Sequence, residues 1–425
     1  MRKILAASFV LLALSTSAQI EEVRRITKQL CAPEFHGRGY YAKGDSLAAD
    51  YLADEFSKLN IGTFKKEGYL QHYDLLGVNT FPGHADVTQG NRELKPGVHF
   101  VVEPSSGGMT GKLKPYLISL ETALDQEKFG AALGDYMALG EYNALLLDLA
   151  KATAEEKKEI AGLSRAVAAF HPVIEIVDSK FTWSVGRSHL AFPLIQIQDS
   201  IVDRTAEFKI DIDAEFIETY GTQNVVAYIP SKKMCAKTIM FTAHYDHLGR
   251  MGDDTYFPGA NDNASGTAML LTMAKYFKVN PSDFNIMFVA FSGEEAGLVG
   301  SKYFTENPIL PLKKVRFVIN LDIMGSGEEG ITAVNATLFE KEFELLQAIN
   351  AEKNLLAKVK KRGPTSNSDH YWFTEKGVPA FFIYTMGPNK NYHDIFDEYS
   401  ELSFMEYHDI TTLLVTFVER LSKSK

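Results

Sequence analysis

The sequence predicts an α/β fold: a mixed, mostly parallel sheet with helices on both faces, plus an inserted smaller α+β domain. Three observations predict it. From Asn224 onward, apolar strand-like runs alternate with helix-like periodicity. Several metal-type side chains follow the carboxyl ends of those runs, where open parallel sheets place their sites. Between Gly77 and Ile201 the texture changes to short runs separated by Gly- and charge-rich pieces, and those side chains are missing from it.

Taken in order, residues 1–18 read as a secretory signal. Arg2 and Lys3 precede an apolar run from Ile4 to Leu14, and Thr16 and Ala18 are small at the spacing of a cleavage site after Ala18. The run is too short to span a bilayer, and no Cys follows the cut to carry a lipid. Export to the periplasm or medium is expected, with no membrane partner. Residues 19–76 read as the N-terminal part of the main domain. Ile20 to Leu59 reads as largely helical, with Leu47, Ala48, Tyr51, Leu52 and Phe56 at helical spacing. Residues 77–205 are the insert, with strand-like runs at Tyr116–Ser119, Ala144–Leu147 and Phe192–Ile197 and a charged helix at Lys151–Ala168. Residues 206–425 read as the rest of the main domain and hold those metal-type side chains. Strands are predicted at Asn224–Ile229, Thr238–Ala243, Asn285–Phe291, Val315–Leu321 and Ala380–Tyr384. Helices are predicted at Ser265–Phe277, Phe339–Lys353, Asp369–Lys376 and Phe404–Leu421.

The formal charge of −10 becomes −12 once Arg2 and Lys3 are removed. An acidic exported chain without basic tracts argues against a nucleic-acid partner. Only Cys31 and Cys235 are present. Export permits a disulfide between them, sequence leaves the pairing open, and no paired CxxC suggests a thiolate metal site. The sequence gives no sign of oligomeric state.

The chemistry sits in FTAHYDHLG, PGANDNASG, FSGEEAGLVGS, NLDIMG and NYHDIFDEYS. His244, Asp262, one or both of Glu294 and Glu295, Asp322 and His393 are the metal-type side chains they contain. Two imidazoles and three carboxylates satisfy two Zn²⁺ if one carboxylate bridges. Asp246, two residues after His244, is placed to accept the other ring N–H and fix the tautomer. Asp262 alone would read as a helix cap; its position between His244 and the Glu pair makes it the central carboxylate. Adjacent Glu294 and Glu295 repel unless a cation is near, so one ligates and the other faces the water as general base. Asp322 ends an apolar strand, where an acid needs a cation. Two Zn²⁺, three carboxylates and one hydroxide cancel in charge, which suits a low-dielectric cleft. His247 is read as supporting a ligand rather than as one. Asp369 and His370, at a helix start beside Ser368, are either cap residues or substrate contacts, and Tyr392 is a further expected contact. His36, His72, His84, His99, His171, His189 and His408 lack usable partner spacing.

Together these motifs resemble the co-catalytic dizinc metallopeptidases that include bacterial leucyl aminopeptidases, aminopeptidase S and Y types and glutamate carboxypeptidases. TQNVVAYIP, AHYDHLG, NDNASG, GEEAGLVGS, NLDIMG, SDHYWF, GVPA and YHD occur in that family's order from about Thr222 onward, and GRGY near the start is similar too. The resemblance implies a zinc exopeptidase-like fold. It pairs His244 with Asp322 on one zinc and Glu295 with His393 on the other, bridged by Asp262, with Glu294 as base. HDIFDEYS departs from the family's usual His-Thr followed by Asp-Thr. The insert is expected to be a lid or protease-associated-like domain. In the glutamate carboxypeptidases the matching Asp precedes Pro, so Asp262–Asn263 is expected to be cis. The function implied is an exported exopeptidase, an aminopeptidase acting on peptides or small aminoacyl substrates. The competing readings are a single-zinc glutaminyl cyclase-like acyl transferase, a glutamate carboxypeptidase or dipeptidase, and a binding module that has lost its ligands.

Overall fold

Four apolar runs form the parallel centre of an eight-stranded sheet in the computed structural model, which describes residues 19–64, 68–139, 143–234 and 236–423. They are Asn285–Phe291, Thr238–His244, Val315–Leu321 and Ala380–Met386, in that spatial order. Nearly every residue in them is buried, as expected for strands covered on both faces. Thr238–His244 pairs in parallel with Asn285–Phe291 on one side and Val315–Leu321 on the other. The chain therefore reverses its winding direction at Thr238–His244, and the crevice at that strand's carboxyl end is where an open sheet accepts a ligand. Antiparallel strands flank this centre. Gly330–Val334 pairs with Ala380–Met386, and Glu215–Ile229 with Asn285–Phe291.

One face of the sheet is covered by helical residues 19–30 and by helices Gly44–Lys58, Gly266–Val279, Glu340–Lys353 and Tyr407–Leu421. The other carries the shorter helices Val299–Glu306 and His370–Glu375, which contribute Phe304 and Phe373. The expected signal segment 1–18 and Cys235 lie outside the described residues. Cys31 is a buried free thiol. Among the described residues no helix is long and apolar enough to cross a membrane.

A second eight-stranded sheet lies between Ala85 and Ile212. Its parallel part runs Met109–Ser119, Asn143–Asp148, Val173–Val177 and Leu194–Gln198. Helices including Gln126–Met137 and Ala154–Ala168 cover one face. The other face packs on Leu248, Met251 and Phe257 of the first sheet's loops. The boundaries differ from those predicted. Leu70–Thr80 is an edge strand of the first sheet, paired antiparallel with Glu215–Ile229 from Leu70↔Val225 to Thr80↔Glu215, and Phe208–Ile212 belongs to the second sheet. Leu70–Thr80 reads LQHYDLLGVNT, in which Asp, Gly and Asn disfavour a strand. Pairing along its length overrides that weak local preference.

Candidate metal centre

The residues singled out in sequence converge at the carboxyl ends of the parallel strands. His244 is the last residue of its strand, and Asp322 follows Leu321. Glu294 and Glu295 lie just past Phe291, and His393 lies in the loop after Met386. Asp262 comes from the segment leading into helix Gly266–Val279, and its peptide bond to Asn263 is cis.

Two half-sites share Asp262. His244 Nε2 is 3.2 Å from Asp262 Oδ1 and 3.5 Å from Asp322 Oδ1. His393 Nε2 is 3.2 Å from Asp262 Oδ2 and 3.2 Å from Glu295 Oε2. Ligands about 2 Å from one ion at a tetrahedral angle are about 3.3 Å apart, so these spacings would admit a shared cation. The tautomers agree. His244 Nδ1 lies 3.2 Å from the backbone oxygen of Asp246, and His393 Nδ1 3.0 Å from that of Trp183. With Nδ1 donating, each Nε2 faces two carboxylate oxygens, an arrangement that calls for positive charge between them, supplied by a proton or by a metal ion. Asp322 Oδ1, out of solvent, has no hydrogen-bond partner, and the donor set fits zinc.

The supporting contacts explain how each ligand is aimed. Asp322 Oδ2 accepts from Ser368 at 2.8 Å, whose oxygen accepts from Asn320. His247 Nδ1 lies 2.8 Å from Glu295 Oε1, which leaves Oε2 toward His393. His247 also groups geometrically with Asp262 and Glu295, but its Nδ1 is engaged with Glu295. Asp246 differs from expectation. Its carboxylate is 3.8 Å from His244 Nδ1, and it instead accepts from Tyr40 Oη at 2.8 Å and from the backbone N–H groups of Glu294 and Glu295. It braces the Glu turn, while its backbone carbonyl orients the imidazole. Asp369 and His370 are fully buried, and His370 packs on Phe382. Tyr392 is 48% exposed and stacks on His393 at 3.9 Å, which suits a contact at the rim.

Three supporting residues escaped sequence reasoning. Asp397 accepts from the backbone N–H groups of Asn261 and Asp262 and so fixes the bridging residue's main chain. Arg38, fully buried, donates to the carbonyls of Leu30, Tyr245, Pro258 and Gly259. Its fork ties the segments before and after the ligands to the N-terminal region. Trp183 of the insert holds His393 through the main chain. The GRGY and HDIFDEYS motifs marked the first two as places of interest without indicating a role.

Burial dominates the acid–base behaviour. It pushes Glu294 well above the usual carboxylate range, helped by Glu295, Asp369 and Asp322 and opposed by His244. Burial likewise raises Asp246 to about 6 and Asp369 and Asp397 each to about 7. For His393 burial acts downward, but Glu295 and Asp262 outweigh it and hold the ring up at about 11. Burial would raise Glu295, yet His393 and His247 bring it down to about 2. This acidic cluster, with Arg38 as its buried permanent cation, calls for added positive charge.

The Peptidase family M28 model matches residues 224–418. Aminopeptidase YwaD of Bacillus subtilis (strain 168) is 28% identical over 260 residues, 56% of this chain and 56% of its own length. Aminopeptidase Y of Saccharomyces cerevisiae is 28% identical over 255 residues, 52% of this chain and 42% of its own. The chain thus spans about half the length of these curated relatives. Among solved structures, BSAP, a zinc aminopeptidase from Bacillus subtilis, has a TM-score of 0.69 at 19% identity, covering 95% of this chain and 96% of that one. At that identity the likeness is one of fold.

Proposed function

We propose that residues 224–418, which the Peptidase family M28 model matches, form a domain of that family, and that this chain is an exported two-zinc aminopeptidase. The observation that carries the proposal is the facing of the two imidazoles: each Nε2 meets two carboxylate oxygens, and Asp262 gives one oxygen to each. His244, Asp322 and Asp262 would hold one ion, and His393, Glu295 and Asp262 the other. Bound there, the ions would polarise the scissile carbonyl and bring the pKa of a water to about 7.

The chain's own residues do the rest. Glu294 is the proposed general base, taking a proton from the attacking water and returning it to the leaving amine. Burial raises its proton affinity, which favours taking up the water's proton. Glu295 does not take that role, since His247 holds its Oε1 and the proposed ion would take its Oε2. Tyr392 is the proposed substrate contact at the rim, and the insert is a lid-like domain beside the cleft. Export follows from the signal read over residues 1–18.

The test measures metal content and product together. Two zinc ions per chain and release of the first residue from free-amine peptides, but not from blocked-amine peptides, are expected by mass spectrometry. One zinc with ammonia lost from N-terminal glutaminyl peptides would identify a cyclase instead. Release of the last residue from blocked peptides would identify a carboxypeptidase.

A further inference from the structure

The two half-sites are supported unequally. His244 and Asp322 are held from within the first sheet and its loops: by the backbone of Asp246, by Thr267, which donates to the His244 carbonyl at 2.8 Å, and by Ser368. The loop bearing His393 is instead fastened from the insert, by the short segment 180–187, which also reaches the turn bearing Glu295, a turn that Asp246 and His247 hold from the first sheet's side.

Trp183 N–H donates to the His393 carbonyl at 2.8 Å, and the Trp183 carbonyl faces His393 Nδ1 at 3.0 Å. This main-chain pair fixes both the ring and the backbone of the ligand. Trp183 is itself fixed: its indole stacks on Phe257 at 4.5 Å and 6°, and Nε1 donates to the Val102 carbonyl. Lys180 donates to the Lys390 carbonyl at 2.9 Å and pairs with Asp394, beside His393. Arg187 donates to the carbonyl of Ala296, the residue after Glu295, and to Gly77 and Leu76.

We propose that Lys180, Trp183 and Arg187 are positioning residues for one metal site only, so that the seating of the insert sets the affinity of the Glu295–His393 site and leaves the His244–Asp322 site unaffected. The inference rests on the two-metal reading above. Its chemistry is that of any outer contact that aims a ligand: loss of such contacts typically weakens metal binding about 10- to 100-fold.

The experiment compares the full chain with a Lys180→Met/Arg187→Met double variant and with Ser368→Ala, each loaded with zinc and dialysed against a graded chelator. Zinc per chain is counted by plasma mass spectrometry, and the surviving ion is located by anomalous diffraction. Both variants keep the Trp183 stack, and Lys180 and Arg187 are exposed, so the fold survives. The double variant is expected to pass through a one-zinc plateau at about 10- to 100-fold lower chelator than the parent, with the remaining ion beside His244 and Asp322. Ser368→Ala is expected to keep the other ion. Loss of both ions together from the double variant, or the parent's chelator profile, overturns the inference while leaving the two-metal reading intact. A parent chain that never holds two ions overturns that reading and the inference with it.

Discussion

At the scale of single residues, the proposed site separates groups that would touch the metals from groups that aim them. Glu294→Gln keeps the size of the side chain and removes the proton acceptor. Turnover is expected to fall about 100- to 10,000-fold with zinc content unchanged; a near-normal rate or lost zinc would refute the base assignment. Arg38→Met leaves four buried carbonyls without their donor. A stability loss on the order of 3 kcal/mol is expected in urea denaturation, and Arg38→Lys should recover little of it, because an ammonium lacks the planar fork. The same separation explains what could be read in advance. Asp322 was legible because an acid at the end of an apolar run is anomalous by itself, whereas His244, Asp262, Glu294, Glu295 and His393 were legible only as a set. Arg38, Asp397 and Trp183 work through main-chain groups, which every residue has, so nothing in their local sequence marks the partner. Asp246 was found, but its carboxylate turned out to serve the Glu turn.

At the scale of elements, the buried parallel strands were the most legible part. Asn285–Phe291 and Val315–Leu321 have the predicted ends, because burial on both faces selects uninterrupted apolar runs. The edge strand Leu70–Thr80 was invisible, since one side of it needs no apolar pattern. Packing should follow the same gradient. Phe317 meets the rings of Phe339, Phe381 and Phe417 at 6.0, 4.8 and 5.7 Å, joining two strands to helix Tyr407–Leu421. Phe317→Ala is expected to cost about 3–5 kcal/mol. Leu117 is 47% exposed on a strand of the second sheet, and Leu117→Ala should stay within about 0.5 kcal/mol. Chemical denaturation of the two variants side by side checks the contrast.

At the scale of the whole molecule, the buried acids make stability depend on pH once metal is removed. Asp246, Asp369 and Asp397 bind protons more tightly folded than unfolded, so their contribution is present at low pH. It is lost as pH rises from about 4 to the folded values of about 6 and 7. His393, held up at about 11, adds stability that is complete below about 6.5 and is lost as pH climbs toward 11. Glu295 works in the opposite window, losing its contribution only as pH falls toward about 2. Chelator-treated protein is therefore expected to melt at a higher temperature at pH 5 than at pH 8, and zinc should restore the loss at pH 8. An apo protein equally stable at both values would contradict this account. The clasp around Asp262 has a further consequence, in time rather than in energy. Arg38 and Tyr40 come from the beginning of the chain, and His393 and Asp397 from near its end. A ribosome delivers Arg38 about 360 residues before Asp397, and for nearly all of that interval a growing chain lacks both His393 and Asp397. The proposed metal site cannot close until both have been made.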